Sequence, residues 1–129
     1  MPSTPGSSLS HIGQVSMTVK DIDTAVAFYR DVLGLPHLFT AGQLAFFDCD
    51  GTRLFLDALP EAQGNDSSVL YFSVPDIQAA VKSLQLNGVT FEHPPHMIVE
   101  HPDGTQEWMA FFADPDANTL ALMSRVPPA

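Results

Sequence analysis

The chain has 129 residues, 45% of them hydrophobic, and its 15 acidic residues against 5 Lys and Arg give a formal net charge of −10. That length and apolar content allow one compact core, and no apolar run reaches the roughly 18 residues of a membrane span. The acidic surface repels phosphate backbones, which argues against nucleic acid as a partner, while it favours solubility and tolerates a cationic small molecule.

Residues 1–10 lack the basic start and apolar stretch of a signal peptide and are expected to form a flexible tail, with order beginning near His11. Cys49 is the only cysteine, so no intrachain disulfide is possible and a reducing, cytoplasmic compartment fits. Asp48 and Asp50 flank it and disfavour a thiolate, so a strand cysteine is expected there and not a nucleophile.

In residues 11–19, Val15, Met17 and Val19 alternate with Gln14, Ser16 and Thr18, the pattern of a half-buried strand. From Asp21 the period becomes helical through Ile22, Ala25, Val26, Tyr29 and Leu33, with Asp21 or Asp23 as N-cap and Gly34 as the left-handed stop. Strands are predicted over 38–40, 43–49 and 53–58, the last two joined by an Asp50-Gly51 turn. Residues 59–67 are polar and rich in turn formers, and read as a linker.

The plan then restarts. A strand over 68–74 leads to Asp76, which caps a helix with Ile77, Ala80, Val81 and Leu84 on its apolar face, ending at Gly88. Residues 89–92, 97–100, 107–112 and 119–124 are strand candidates, with His93-Pro94-Pro95-His96 as a break and a turn over Asp114, Pro115, Asp116 and Asn118. Residues 126–129 read as a C-terminal tail.

The halves repeat. Val19-Lys20-Asp21-Ile22 parallels Val74-Pro75-Asp76-Ile77, Phe46-Phe47 parallels Phe111-Phe112, and residues 50–56 parallel 116–122. Each half is a strand, a helix and three strands, and two such sheets can enclose a cavity between their bare faces. The fold class is therefore α+β, two paired βαβββ modules at about 11–58 and 68–125 within one domain over 11–125. Val15, Met17, Leu54, Leu56, Leu70, Phe72, Leu120 and Leu122 are expected to pack under the helices. The opposite parity places Gln14, Ser16, Thr18, Arg53, Phe55, Asp57, Val69, Tyr71, Ser73, Thr119, Ala121 and Met123 toward a ligand.

The stretch Gln14-Val-Ser-Met-Thr-Val-Lys-Asp-Ile-Asp, then Ala27-Phe-Tyr-Arg-Asp-Val-Leu-Gly-Leu, resembles the first module of the vicinal oxygen chelate superfamily, and Phe111-Phe-Ala-Asp-Pro-Asp-Ala-Asn-Thr-Leu-Ala-Leu resembles its closing motif. That superfamily includes glyoxalase I, bleomycin-resistance proteins, fosfomycin-resistance enzymes and extradiol dioxygenases. The resemblance implies a cup-shaped mixed sheet around a ligand site, helices on the outside, and a homodimer with the site at the subunit interface. It also implies that metal-dependent members take a divalent ion on one residue from the first strand and one from the last strand of each module. Those positions here are Gln14, Phe55, Val69 and Ala121.

Only Gln14 offers an oxygen, whereas a hard divalent ion needs several oxygen or nitrogen ligands. The expectation is thus no metal and no other cofactor. A relocated divalent ion on His96 with His101 or Glu107, across adjacent strands, is the alternative. Extended Pro94-Pro95 holds the alpha carbons of His93 and His96 about 9 Å apart and argues against their chelating together. Without a metal, Phe55, Val69, Ala121 and Met123 make an apolar floor and Tyr71 a wall. Gln14, Ser16, Thr18 and Thr119 supply neutral hydrogen bonds, Arg53 a carboxylate anchor, and Trp108 and Phe112 either planes for stacking or core packing. The function expected is binding of an apolar or aromatic small molecule in a metal-free cavity. The alternative is a lyase or isomerase of the same superfamily, using the relocated metal or Asp57, Arg53 and Tyr71 as acid/base groups, although an ion pair between Asp57 and Arg53 is the simpler expectation.

Overall fold

The computed structural model describes residues 9, 11–64 and 68–128. Most of the expected N-terminal tail, linker residues 65–67 and Ala129 lie outside the described residues. β1 (Gln14–Thr18), β2 (His37–Ala41), β3 (Leu44–Cys49) and β4 (Thr52–Asp57) form one sheet in the order β1-β4-β3-β2. β5 (Leu70–Ser73), β6 (His96–Glu100), β7 (Gln106–Ala113) and β8 (Thr119–Val126) form a second, in the order β5-β8-β7-β6. In each sheet the first and last strands run parallel and the remaining pairs antiparallel.

The repeat is in register. Ser16 lies beside Phe55 and Phe55 beside Phe46, just as Tyr71 lies beside Ala121 and Ala121 beside Phe111. The amide of Val19 donates to Asp57 O at 3.0 Å, and that of Val74 donates to Met123 O at 2.9 Å. Even the turns correspond, because Gly51 (φ 95°) and Ala117 (φ 66°) are both left-handed. Glycine carries that conformation without cost, whereas alanine is strained in it.

The helices start where the side chains dictate. Asp21 Oδ1 accepts the amides of Asp23 (3.0 Å) and Thr24 (3.4 Å) at the head of α1 (Ile22–Ala27), and Asp76 Oδ1 accepts that of Ala79 (3.1 Å) at α2 (Ile77–Leu86). α1 continues as a wider π-helical turn over Phe28–Val32, which puts Tyr29 fully inside the core. Gly34 (φ 78°) and Gly88 (φ 93°) follow the helices in the left-handed conformation. Residues 89–92 do not form the expected strand. Only a single bridge joins Phe91 to Phe112, because the Pro94-Pro95 stretch turns the chain away before a ladder can grow. β8 extends to Val126, paired with Gln106, and so takes in the first residue of the expected tail.

The helix-side faces of both sheets share one core. Met17, Leu54 and Leu56 join Leu120, Leu122 and Phe112 there, with Ala25 and Val26 of α1 and Ile77 and Val81 of α2. Val15, Leu70 and Phe72 are only half-buried. Asp114, itself 5% exposed, ties the halves together. Its Oδ1 accepts the amides of Asp116 (2.9 Å) and Asn118 (2.8 Å), and its Oδ2 accepts Tyr29 Oη–H (2.9 Å) and Asn118 Nδ2–H (2.8 Å). Asn118 Nδ2 also donates to Thr18 O at 2.9 Å.

Burial, then the charge and hydrogen bond of Asp114, push the Tyr29 hydroxyl far above the ordinary tyrosine value. A raised folded value stabilises the protein fully below the unfolded tyrosine pKa of about 10, and that contribution is lost as pH rises further. Tyr29→Phe should lower unfolding free energy by about 1–3 kcal/mol at neutral pH, since a hydrogen bond to a charged acceptor is removed. Urea melts across pH should also show that the variant loses less stability than the parent above about pH 10.

Candidate functional site

The strand parity leaves one face of each sheet turned away from the shared core. On the first sheet that face carries Gln14, Ser16 and Arg53 exposed, with Thr18, Phe55 and Asp57 half-buried. A ladder of aromatic rings crosses it. Phe55 stacks on Phe46 with centroids 5.0 Å apart, and Phe46 stacks on Phe39 at 4.5 Å. The cross-strand neighbours force this, because Phe55 and Phe46 are register partners and Phe46 lies beside Phe39. Arg53 Cζ sits 4.6 Å from the Phe46 centroid, and its Nε and Nη2 donate to Gln14 Oε1 at 3.0 and 2.8 Å. Sequence reading missed the ladder, although Phe39, Phe46 and Phe55 lie on three predicted strands; the register that aligns them is not written in parity alone.

On the second sheet the corresponding face carries Val69, Tyr71 and Met123 with Ala121 between. Tyr71 and Phe111 meet edge to face at 6.0 Å from either side of Ala121, which is fully buried. Ala121 is therefore not an open part of a cavity floor, as its parity suggested. Trp108 lies on the other face: it pairs with Ser124, packs at the edge of the shared core and donates through Nε1 to Gln106 Oε1 at 3.0 Å. Phe112 is a core residue as well. Both aromatics take the core-packing option.

The four positions implied for a divalent ion do not fit one. Phe55, Val69 and Ala121 have no donor atom, and the one side-chain oxygen, Gln14 Oε1, accepts two hydrogen bonds from a cation. Nor do the histidines supply a substitute. His101 Nε2 and Glu107 Oε2 lie 2.6 Å apart, but His96 is at the far end of β6, beside Met109 and near the Phe111 ring at 6.4 Å. Among the described residues no three His, Cys, Asp or Glu side chains are placed to share a metal ion.

Asp57 does not pair with Arg53; its Oδ1 accepts the Leu59 amide at 2.9 Å and closes the turn after β4. Thr18 Oγ1 donates to Ala62 O at 3.4 Å, within the 3-10 turn Pro60–Ala62 that crosses the end of β1. Cys49 is half-buried, and burial followed by the Asp48 charge pushes its thiol up, which leaves it a poor nucleophile.

A cleft of about 670 Å³ opens between the sheets, lined by Val15, Leu54, Leu70 and Phe72 with Arg53 and Tyr71. Of the sequence-predicted ligand residues it gathers Arg53, Tyr71 and Ser73, and not Gln14, Ser16, Thr18, Phe55, Val69, Ala121 or Met123. The helix faces of both sheets contribute to one core within the chain.

The sequence profile of the Glyoxalase/Bleomycin resistance protein/Dioxygenase superfamily matches residues 11–122. The chain belongs to that superfamily. It is 28% identical to the uncharacterized protein YraH of Bacillus subtilis (strain 168), over an alignment covering 84% of this chain and 94% of YraH. Its fold is similar to that of an integron cassette protein from the mobile metagenome of V. cholerae, with a TM-score of 0.74, 25% identity and coverage of 91% of this chain and 96% of that one. It is likewise similar to a lactoylglutathione lyase from Agrobacterium tumefaciens, with a TM-score of 0.73, 25% identity and coverage of 91% and 95%. Among the described residues no helix is long and apolar enough to cross a membrane.

A carboxylate restored at the last-strand position of this superfamily member should not restore a metal site. Ala121→Glu would bury a charge between Tyr71 and Phe111 without a partner, at a cost of more than about 3 kcal/mol. Thermal melts should show strong destabilisation that added nickel does not rescue; a stable variant with one tight nickel per chain would contradict the placement of Ala121.

Proposed function

We propose that this protein binds an apolar or aromatic small molecule without a metal, as a homodimer. The observation that carries the reading is the donor set: where metal-dependent relatives need several donors, this chain has three hydrocarbon side chains and an amide already bound to a guanidinium. Binding is supported by the cleft of about 670 Å³, whose lining combines Val15, Leu54 and Phe72 with the charged Asp48, Asp50 and Arg53. Concave surfaces that combine apolar walls with placed polar groups suit small organic ligands.

A dimer is supported by what a single copy leaves in water. Phe39 (44%), Val69 (40%) and Tyr71 (47%) are exposed on the faces opposite the helices, and Met97, Ile98 and Val99 are exposed along the edge strand β6. Apolar surface gathered on edges and open sheet faces favours burial by a partner. In this reading, a second copy covers these faces and completes the cup. The likeness to a lactoylglutathione lyase is on the side of the lyase or isomerase alternative, but the residues named for it are otherwise engaged: Asp57 is held by its own turn, and His96 stands apart from His101 and Glu107.

Native mass spectrometry of the purified protein tests the reading. The expected species is a dimer, at twice the 14.0 kDa chain mass, with an organic adduct that denaturation releases. A monomer at micromolar concentration, or a dimer that takes up no member of an aromatic ligand panel, would contradict it.

A further inference from the structure

We propose that the Arg53 guanidinium is a charged anchor and receives the carboxylate of a monoanionic ligand whose apolar body lies on the ring ladder of the same open sheet face. The inference rests on the small-molecule reading above and narrows it to one ligand class.

Arg53 is oriented before any ligand arrives. Two donations to Gln14 Oε1, at 3.0 and 2.8 Å, fix the Nε/Nη2 edge, and the Phe46 ring fixes the plane from 4.6 Å. This leaves Nη1 and the second Nη2 hydrogen, the terminal edge of the fork, without a hydrogen-bond partner among the described residues. That edge matches the two oxygens of a carboxylate, which an ammonium could not do as well. A guanidinium held in place also loses less side-chain freedom on binding than a free one.

Its charge is available. Among the described residues the ion pairs are Arg30 with Asp31 and His101 with Glu107, so no carboxylate neutralises Arg53. Asp48 is its cross-strand neighbour, but Asp48 Oδ1 turns back to accept the Gly51 amide at 3.0 Å. The guanidinium lies on the open face with Gln14 and Phe46, so an anion on its fork has the Phe46, Phe39 and Phe55 rings on that same face for an apolar body.

The number of charges is limited by the rim. Asp48 and Asp50 also line the cleft, and the chain carries a net charge of −10. The single guanidinium offers one fork for one negative group, and with Asp48 as its cross-strand neighbour a second negative group would meet only carboxylates. Polyphosphates and dicarboxylates are disfavoured on this ground, and an aryl or alkyl monocarboxylate fits. Gln14 acts through Arg53 and is a positioning residue.

Isothermal titration at fixed ionic strength with 4-phenylbutyrate, 4-phenylbutyramide and phenylsuccinate tests the assignment on the full chain. The acid should bind at least roughly tenfold more tightly than the amide, and more tightly than the dicarboxylate. Arg53→Gln should abolish the difference in affinity between acid and amide. Arg53→Lys should recover only part of the difference, since it restores charge but not the fork. Gln14→Leu should weaken the acid selectively. Equal affinity of acid and amide for the parent, or an acid preference that survives Arg53→Gln, overturns the anchor and leaves the small-molecule reading standing. If neither acid nor amide binds, both fail.

Discussion

The buried carboxylate of Asp114 is the constraint on which the rest of the structure depends. A charge at 5% exposure is tolerable only if its lone pairs are satisfied, and here four donations satisfy them. Two come from the turn's own backbone, which shapes the β7–β8 connection. The Tyr29 hydroxyl comes from the other half of the chain, and Asn118 passes the link on to Thr18 O at the end of β1. One side chain therefore sets a turn and binds the two sheets through their helix faces. With those faces committed to one core, the opposite faces carry the exposed Phe39, Val69 and Tyr71.

The two halves share a register but have diverged on that open face. In the first, Phe55 joins a stack of three rings, with Arg53 lying over the middle one. In the second, the matching Ala121 is small enough for Tyr71 and Phe111 to meet across it. Each arrangement fills with hydrocarbon the place where metal-dependent relatives put a donor. Gln14 keeps its oxygen, but the oxygen holds a guanidinium. The superfamily's architecture is kept, while the four positions offer one amide oxygen that is already engaged by the chain's own Arg53.

Much of this was legible in the residues. Asp21 and Asp76 announced the helix starts, alternation separated Met17, Leu54 and Leu120 from Gln14, Arg53 and Ala121, and the repeat put Phe55 opposite Ala121 in the correct register. Other features were not, for physical reasons. Parity tells which face a side chain takes and not what covers it, so Ala121 read as open although its neighbours bury it. Trp108 was ambiguous because an aromatic on a strand suits a core and a ligand equally. Residues 89–92 have strand composition, yet the Pro94-Pro95 stretch that follows ends the pairing after the single bridge at Phe91. The bond of Gln14 to Arg53 joins residues 39 positions apart and follows only once β1 and β4 are known to be parallel neighbours.

The central claim is that the superfamily's metal position has passed to hydrocarbon and a guanidinium. Elemental analysis of the protein as purified, followed by titration of the chelator-treated protein with nickel, manganese and zinc, tests it most directly. The account predicts well under one equivalent of any divalent metal per chain and no saturable uptake that protects the protein against heat. About one equivalent per chain, lost on replacing Gln14 with Leu, would contradict it.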